Sequence, residues 1–161
     1  MATILEENRF LTSEAGQTEM FSFDWPMGGM FLWVKVNIRN HPLVSVDPYR
    51  LMLALWVYCT QHPYRILVVP GGDFAANRAI KGDRGYLFLR FCFAAVEESV
   101  LEAKSRAFAD VCRSFWAIND AEAIDAILQE EDMLQPTGQD GEDDAVLDRE
   151  VVDEWEYTEQ S

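Results

Sequence analysis

Tyr86-Leu87-Phe88-Leu89-Arg90-Phe91-Cys92-Phe93-Ala94 is apolar or aromatic at every position but one. So short a run, so rich in aromatics, predicts a strand buried on both faces. Side chains alternate along a strand, so Tyr86, Phe88, Arg90, Cys92 and Ala94 share one face, and Leu87, Leu89, Phe91 and Phe93 share the other. Arg90 is the exception, and it carries the functional question. A buried charge without compensation is strongly unfavourable, so something anionic should meet the guanidinium. Two sources are open: an Asp or Glu of this chain, or a carboxylate from outside, whose geometry a guanidinium fork matches.

Upstream, Met30 to Val36 predicts a second strand, entered through Pro26, Gly28 and Gly29. The two glycines mark a close backbone approach, either to a neighbouring strand or to a ligand. Ile66 to Val69 predicts a third strand, stopped by Pro70-Gly71-Gly72. Asp47-Pro48 is a helix start, and that helix should run to about Gln61 and end at His62-Pro63. Asp73 to Gly85 reads as a loop or frayed helix.

Downstream, Val96 to Trp116 predicts a second helix with a core stripe of Val100, Ala103, Ala107, Val111 and Phe115, and Phe108 beside it. Asn119 suits the cap of a third helix over Asp120 to Met133. These elements predict a small two-layer α/β sandwich, with a mixed sheet of three or slightly more strands and helices on one face. Residues 1–20 read as a helix end and polar loop, 21–118 as the domain, 119–135 as the extra helix and 136–161 as an acidic disordered tail. Strands apolar on both sides need cover on both faces, and the helices can cover one. A surplus apolar face is therefore expected, as if a partner surface were missing.

Charge divides the 161-residue chain sharply. Met1 to Trp116 holds 12 acidic and 12 basic residues, whereas Ala117 to Ser161 holds 16 acidic residues and one basic, Arg149, so the net −15 belongs to the C-terminal part. A neutral body with an acidic tail argues against nucleic acid and against anionic membrane as partners. Cys59, Cys92 and Cys112 have apolar neighbours and no CxxC spacing, which suits buried free thiols in a reducing compartment. No secretory signal or membrane-length apolar run is visible, so a soluble cytoplasmic protein is expected.

Other chemistry is sparse. His41 and His62 both precede proline and lack a second ligand at metal spacing, so structural roles are expected and no metal site is. Gly71-Gly72-Asp73 lacks a phosphate-loop pattern and reads as a turn. Lys35, Lys81 and Lys104 lack the desolvated setting that would mark a Schiff-base lysine.

Three segments together resemble a family. Pro26-Met27-Gly28-Gly29-Met30-Phe31-Leu32-Trp33 is similar to the PxGGMFLW strand entry of class I pyridoxal-phosphate aminotransferases. Val68-Val69-Pro70-Gly71-Gly72-Asp73-Phe74 is similar to their VxPGxxF segment. Leu89-Arg90-Phe91-Cys92-Phe93-Ala94 resembles their LRLxFA strand, followed by an acidic helix start at Glu97-Glu98. The nearest branch is the aromatic and 2-aminoadipate aminotransferases.

The resemblance covers only that family's C-terminal small domain, here residues 21–118. It implies that Arg90 is substrate-binding and holds the α-carboxylate of an amino or 2-oxo acid. It also implies pyridoxal phosphate as the family's cofactor, which this chain alone is not expected to bind. The larger domain that supplies the Schiff-base lysine and phosphate cradle has no counterpart here, so no catalytic residue is assigned and the chain alone should be inactive as a transaminase. Two further readings stand beside this one. One is a non-catalytic interaction protein whose apolar face mediates homodimerisation or binds an aminotransferase subunit. The other is an amino-acid-binding regulatory module.

Overall fold

A computed structural model describes residues 1–14, 16–94 and 96–134. The expected third helix is present as α5 (Ala121–Leu134), and the acidic tail over 136–161 lies outside the described residues.

The central stretch forms β6 (Phe88–Cys92), shorter at each end than the sequence suggests. It lies between β4 (Phe31–Val36) and β5 (Val69–Pro70), and β4 also pairs with β3 (Phe21–Phe23). The fold is α/β as expected, but all three strand pairings are antiparallel rather than mixed. The third strand is also shorter than expected, Val69–Pro70 in place of Ile66 to Val69.

Burial alternates along both long strands. Leu32, Val34, Leu89 and Phe91 are buried, whereas Trp33, Lys35 and Cys92 are exposed and Phe31, Phe88 and Arg90 half-buried. Among the described residues, β6 is thus covered on one face, not two. The expected burial of all three thiols holds for Cys59 and Cys112 and fails for Cys92, which points to the open side. Desolvation pushes the Cys59 thiol up to about 12 and raises Cys112 as well. Both are therefore neutral packing groups.

The covered face carries α2 (Pro48–Thr60) and α4 (Glu98–Trp116). Leu51 and Leu55 of α2, and Phe108, Val111 and Phe115 of α4, join the inward strand residues in one cluster. The expected start of α2 is realised, with the Asp47 carboxylate accepting from the Tyr49 N–H at 3.2 Å and Pro48 at the first position. On α4 the stripe is rotated from the expected one. Val100 and Ala103 are exposed, while Ser105, Ala109, Cys112 and Trp116 are buried with Phe108. The wide ring of Phe108 sets this rotation: it lies 5.3 Å from the Phe21 ring and 4.8 Å from the Phe91 ring.

α5 packs on α2 through Ile124 and Ile127 and is tied to it by the Arg50–Asp125 ion pair. Its first turn is capped by Asp120 rather than Asn119, with the Asp120 carboxylate accepting from the Glu122 N–H at 3.0 Å.

The N-terminal segment is more ordered than the loop expected. α1 (Ala2–Asn8) seats Leu5 in the core against α4, and a hairpin of β1 (Phe10–Ser13) and β2 (Gly16–Glu19) follows. Arg9 holds the hairpin to α1 through ion pairs with Glu6 and Glu19 at 3.2 and 3.3 Å. Gly16 has φ +125°, a conformation that suits glycine. The segment expected to be a loop or frayed helix contains the short helix α3 (Arg78–Asp83), begun by the Asn77 side chain accepting from the Ile80 N–H.

His41 is fully built into the structure. It is 2% exposed; its Nε2–H donates to the Phe115 carbonyl at 3.0 Å and its Nδ1 accepts from the Leu43 N–H at 3.1 Å. Those partners require the neutral ring, since a protonated Nδ1 could not accept. Burial lowers the His41 pKa, opposed by the Phe115 carbonyl. With the folded value below the unfolded one, the unfolded chain takes up the proton first as pH falls. Stability from this group is complete above about pH 6.5, the unfolded value, and is lost as pH falls below it towards the folded value. Urea unfolding between about pH 7.5 and 5.5 should show a falling midpoint that is shallower in His41→Gln. An unchanged slope in His41→Gln would contradict this role.

Candidate functional site

The open face of the sheet is aromatic, with Arg90 at its centre. On β6, Arg90 stands opposite Trp33 of β4 on one side and Val69 of β5 on the other. Its guanidinium carbon lies 4.2 Å from the Phe31 ring centroid and 3.9 Å from that of Phe74. Phe74 comes from the 3-10 turn Gly71–Phe74 that follows β5 and meets Trp33 edge-on at 5.5 Å and 87°.

Of the two anionic sources expected for Arg90, an Asp or Glu among the described residues is not what holds it. Among the described residues no carboxylate pairs with it, and its Nε is buried without a hydrogen-bond partner. The charge is instead stabilised by two π faces, each worth roughly 1 kcal/mol or more when partly desolvated. The donors of a guanidinium lie in its plane. Rings packed over its carbon therefore leave the outer Nη donors to an acceptor arriving edge-on, the approach that a carboxylate makes.

Around Arg90 no described element covers the face. Two shallow grooves of about 390 and 330 Å³ meet at Trp33 and Phe88. The first adds Trp25, Phe31 and Lys35, and the second adds Phe74 and Arg84. Trp25 is 55% exposed, Trp33 41% and Phe74 46%, more than aromatic rings of a closed surface present. The surplus apolar face expected from the strand composition is this one.

The close approach expected at Gly28 and Gly29 is not to a neighbouring strand: a Cβ at either would meet nothing within 4 Å. Gly29 serves the turn through its φ of +92°. The close approach is at Gly71, where a Cβ would lie 2.6 Å from Phe88 Cβ and 2.9 Å from the carbonyl oxygens of Gly85 and Phe88. Gly71 thus lets the turn bearing Phe74 lie flat against β6.

The remaining expected residues lie elsewhere. Lys35 is exposed on the open face, Lys81 pairs with Asp73 at 3.6 Å, and Lys104 donates to the carbonyls of Tyr64 and Arg65 at 3.1 and 2.9 Å. A separate recess of about 240 Å³ between Tyr49, Trp56, Lys81 and Tyr86 offers no such unpartnered donor, since its cation is taken by Asp73. No three His, Cys, Asp or Glu side chains gather as a metal site among the described residues, and none of the described helices is long and apolar enough to cross a membrane. Phe31 and Phe74 are the site residues that sequence reasoning did not single out. Their signal was present: Phe31 is two positions from Trp33 on one strand face, and Phe74 closes the Pro70-Gly71-Gly72-Asp73-Phe74 run.

Comparison with family models, with curated proteins and with solved structures finds no match to this chain.

Proposed function

We propose that this chain is the carboxylate-binding lobe of an aminotransferase-like protein, with Arg90 receiving the carboxylate of an amino or 2-oxo acid. The observation that carries it is the guanidinium held between Phe31 and Phe74 on an uncovered sheet face, with no acidic partner among the described residues. The three motifs support the family, and each contributes to the surroundings of that one side chain: Phe31 and Trp33 from the first, Val69 and Phe74 from the second, and β6 itself from the third.

Pyridoxal phosphate does not fit the residues of this chain. All three lysines are accounted for as an exposed strand residue, an ion pair with Asp73 and a clasp on two carbonyls. None lies in the apolar, water-excluded setting that marks a Schiff-base lysine. The lobe binds and orients a carboxylate, and the reacting centre belongs to a second lobe that would pack on the open aromatic face. Alone, the chain is not a transaminase. The free cysteines suit a cytoplasmic setting.

Isothermal titration with phenylpyruvate tests this, with its methyl ester as the control that lacks the carboxylate. The full chain should bind the acid with a dissociation constant on the order of mM, about −4 kcal/mol. Arg90→Ala should weaken it at least tenfold, and Arg90→Lys should restore only part because the fork is lost. Equal binding of acid and ester, or binding that survives Arg90→Ala, would overturn the proposal.

A second reading, a non-catalytic interaction protein, is favoured by the exposure of Trp25, Trp33 and Phe74. It predicts a discrete complex with an aminotransferase-type large lobe on size exclusion, abolished by Trp33→Asp, and no phenylpyruvate binding by this chain or by its Arg90→Ala variant.

A further inference from the structure

The open face joins rings to cations. Lys35 lines one groove, Arg84 lines the other, and Arg90 lies against Phe31 and Phe74, which line one each; none of the three cations has a carboxylate partner among the described residues. Asp24 is the acidic residue among those lining the two grooves. The chain itself carries the complementary chemistry. From Thr137 to Ser161 there are ten acidic residues against Arg149, and Asp153-Glu154-Trp155-Glu156-Tyr157 sets two aromatic side chains among three carboxylates.

We propose that this segment, 153–157, docks on the open sheet face of its own chain. A tail carboxylate takes the in-plane edge of Arg90, and Trp155 and Tyr157 lie against the exposed rings.

Reach permits this. From Leu134, the end of α5, to Trp155 an extended chain spans up to roughly 70 Å. A body of this size has a radius of gyration of about 14 Å. Charge favours the tail over a second copy of the chain, because two such faces laid together would bring cations against cations. Tethering also gives the tail an effective concentration on the order of mM, about tenfold above the dissociation constant of a carboxylate clamp strengthened by the two tail rings to about 0.1 mM.

The inference rests on the carboxylate-clamp reading of Arg90 for its anchoring contact. The tail is then a built-in competitor: if the docked form holds about nine-tenths of the molecules, a free 2-oxo acid binds about tenfold more weakly than to the open face.

The test uses the full chain in three forms: the parent, a neutralised variant with Asp153→Asn, Glu154→Gln and Glu156→Gln, and Trp155→Ser. Zero-length carbodiimide cross-linking at low protein concentration, followed by peptide mapping, reads the docking. Titration with phenylpyruvate reads the competition. The expected result is a Lys35-to-tail cross-link within one chain, lost in Trp155→Ser, together with about tenfold tighter phenylpyruvate binding by the neutralised variant. Absence of the cross-link, or cross-links only between chains, overturns the inference; if phenylpyruvate still binds through Arg90, the clamp reading survives that failure. An intramolecular cross-link with no phenylpyruvate binding by either form supports docking and removes the clamp reading instead.

Discussion

Phe108→Ala should destabilise the protein by about 3–5 kcal/mol, the range for deleting a fully buried phenylalanine. Phe108 is 0% exposed, and its ring meets Phe21 on β3 and Phe91 on β6. It is the side chain by which α4 grips both an edge strand and the central strand. Deleting it removes apolar contact on two sides and leaves a cavity that two strands and a helix cannot all close upon. Urea unfolding followed by far-ultraviolet circular dichroism measures it, as a lower midpoint with an unchanged slope. A loss below about 1 kcal/mol would mean that α4 is not seated on the sheet in this way.

Gly71→Ala should cost about 3 kcal/mol, whereas Gly72→Ala should cost less than about 1 kcal/mol. The two glycines are neighbours in one turn, yet their surroundings differ. The Cβ at Gly71 would collide with Phe88 Cβ at 2.6 Å and with two backbone oxygens at 2.9 Å, and backbone cannot swing aside. The Cβ at Gly72 would meet only the Lys81 side chain, at 3.2 Å, and a flexible side chain can give way. Relief at Gly71 requires the turn to lift from β6, which carries Phe74 away from Arg90. Gly71→Ala should therefore also weaken carboxylate binding, beyond its effect on stability. Equal losses for the two substitutions in urea would contradict this packing.

How much of this was legible in the sequence follows from the physics of each element. Asp47-Pro48 announced α2 because a cap and a first-turn proline act locally. The β6 stretch announced a strand, but its apolar outer residues suggested cover on both faces. They serve instead as an exposed aromatic surface, and composition alone does not separate those cases. The hairpin of β1 and β2 was missed because its strands carry little apolar alternation: Leu11 is half-buried, while Phe10, Thr12 and Ser13 are exposed. Its order comes from Arg9 and its two glutamate partners, which are tertiary contacts. On α4, Val100 and Ala103 fit the helical period as well as the true stripe did, and only Phe108, wedged against two strands, fixes the rotation.

At the site, Arg90 was singled out by its charge in an apolar strand. Its nearest partners were not, because two rings holding a guanidinium leave no periodic signature. Phe31 and Phe74 are far apart in sequence and meet only through the register of β4, β6 and β5. The demand for compensation was sound, and the sheet meets it with π faces in place of a carboxylate of the body.

The central claim is that the guanidinium edge of Arg90 is a receptor for a carboxylate. Nitrogen-15 correlation spectra of the arginine Nε–Hε groups test it most directly, with the Arg90 signal assigned by its loss in Arg90→Lys. The account predicts that phenylpyruvate shifts this one signal in a saturable way and that its methyl ester leaves it in place. A signal that stays fixed at saturating acid, or that moves equally with the ester, would contradict it.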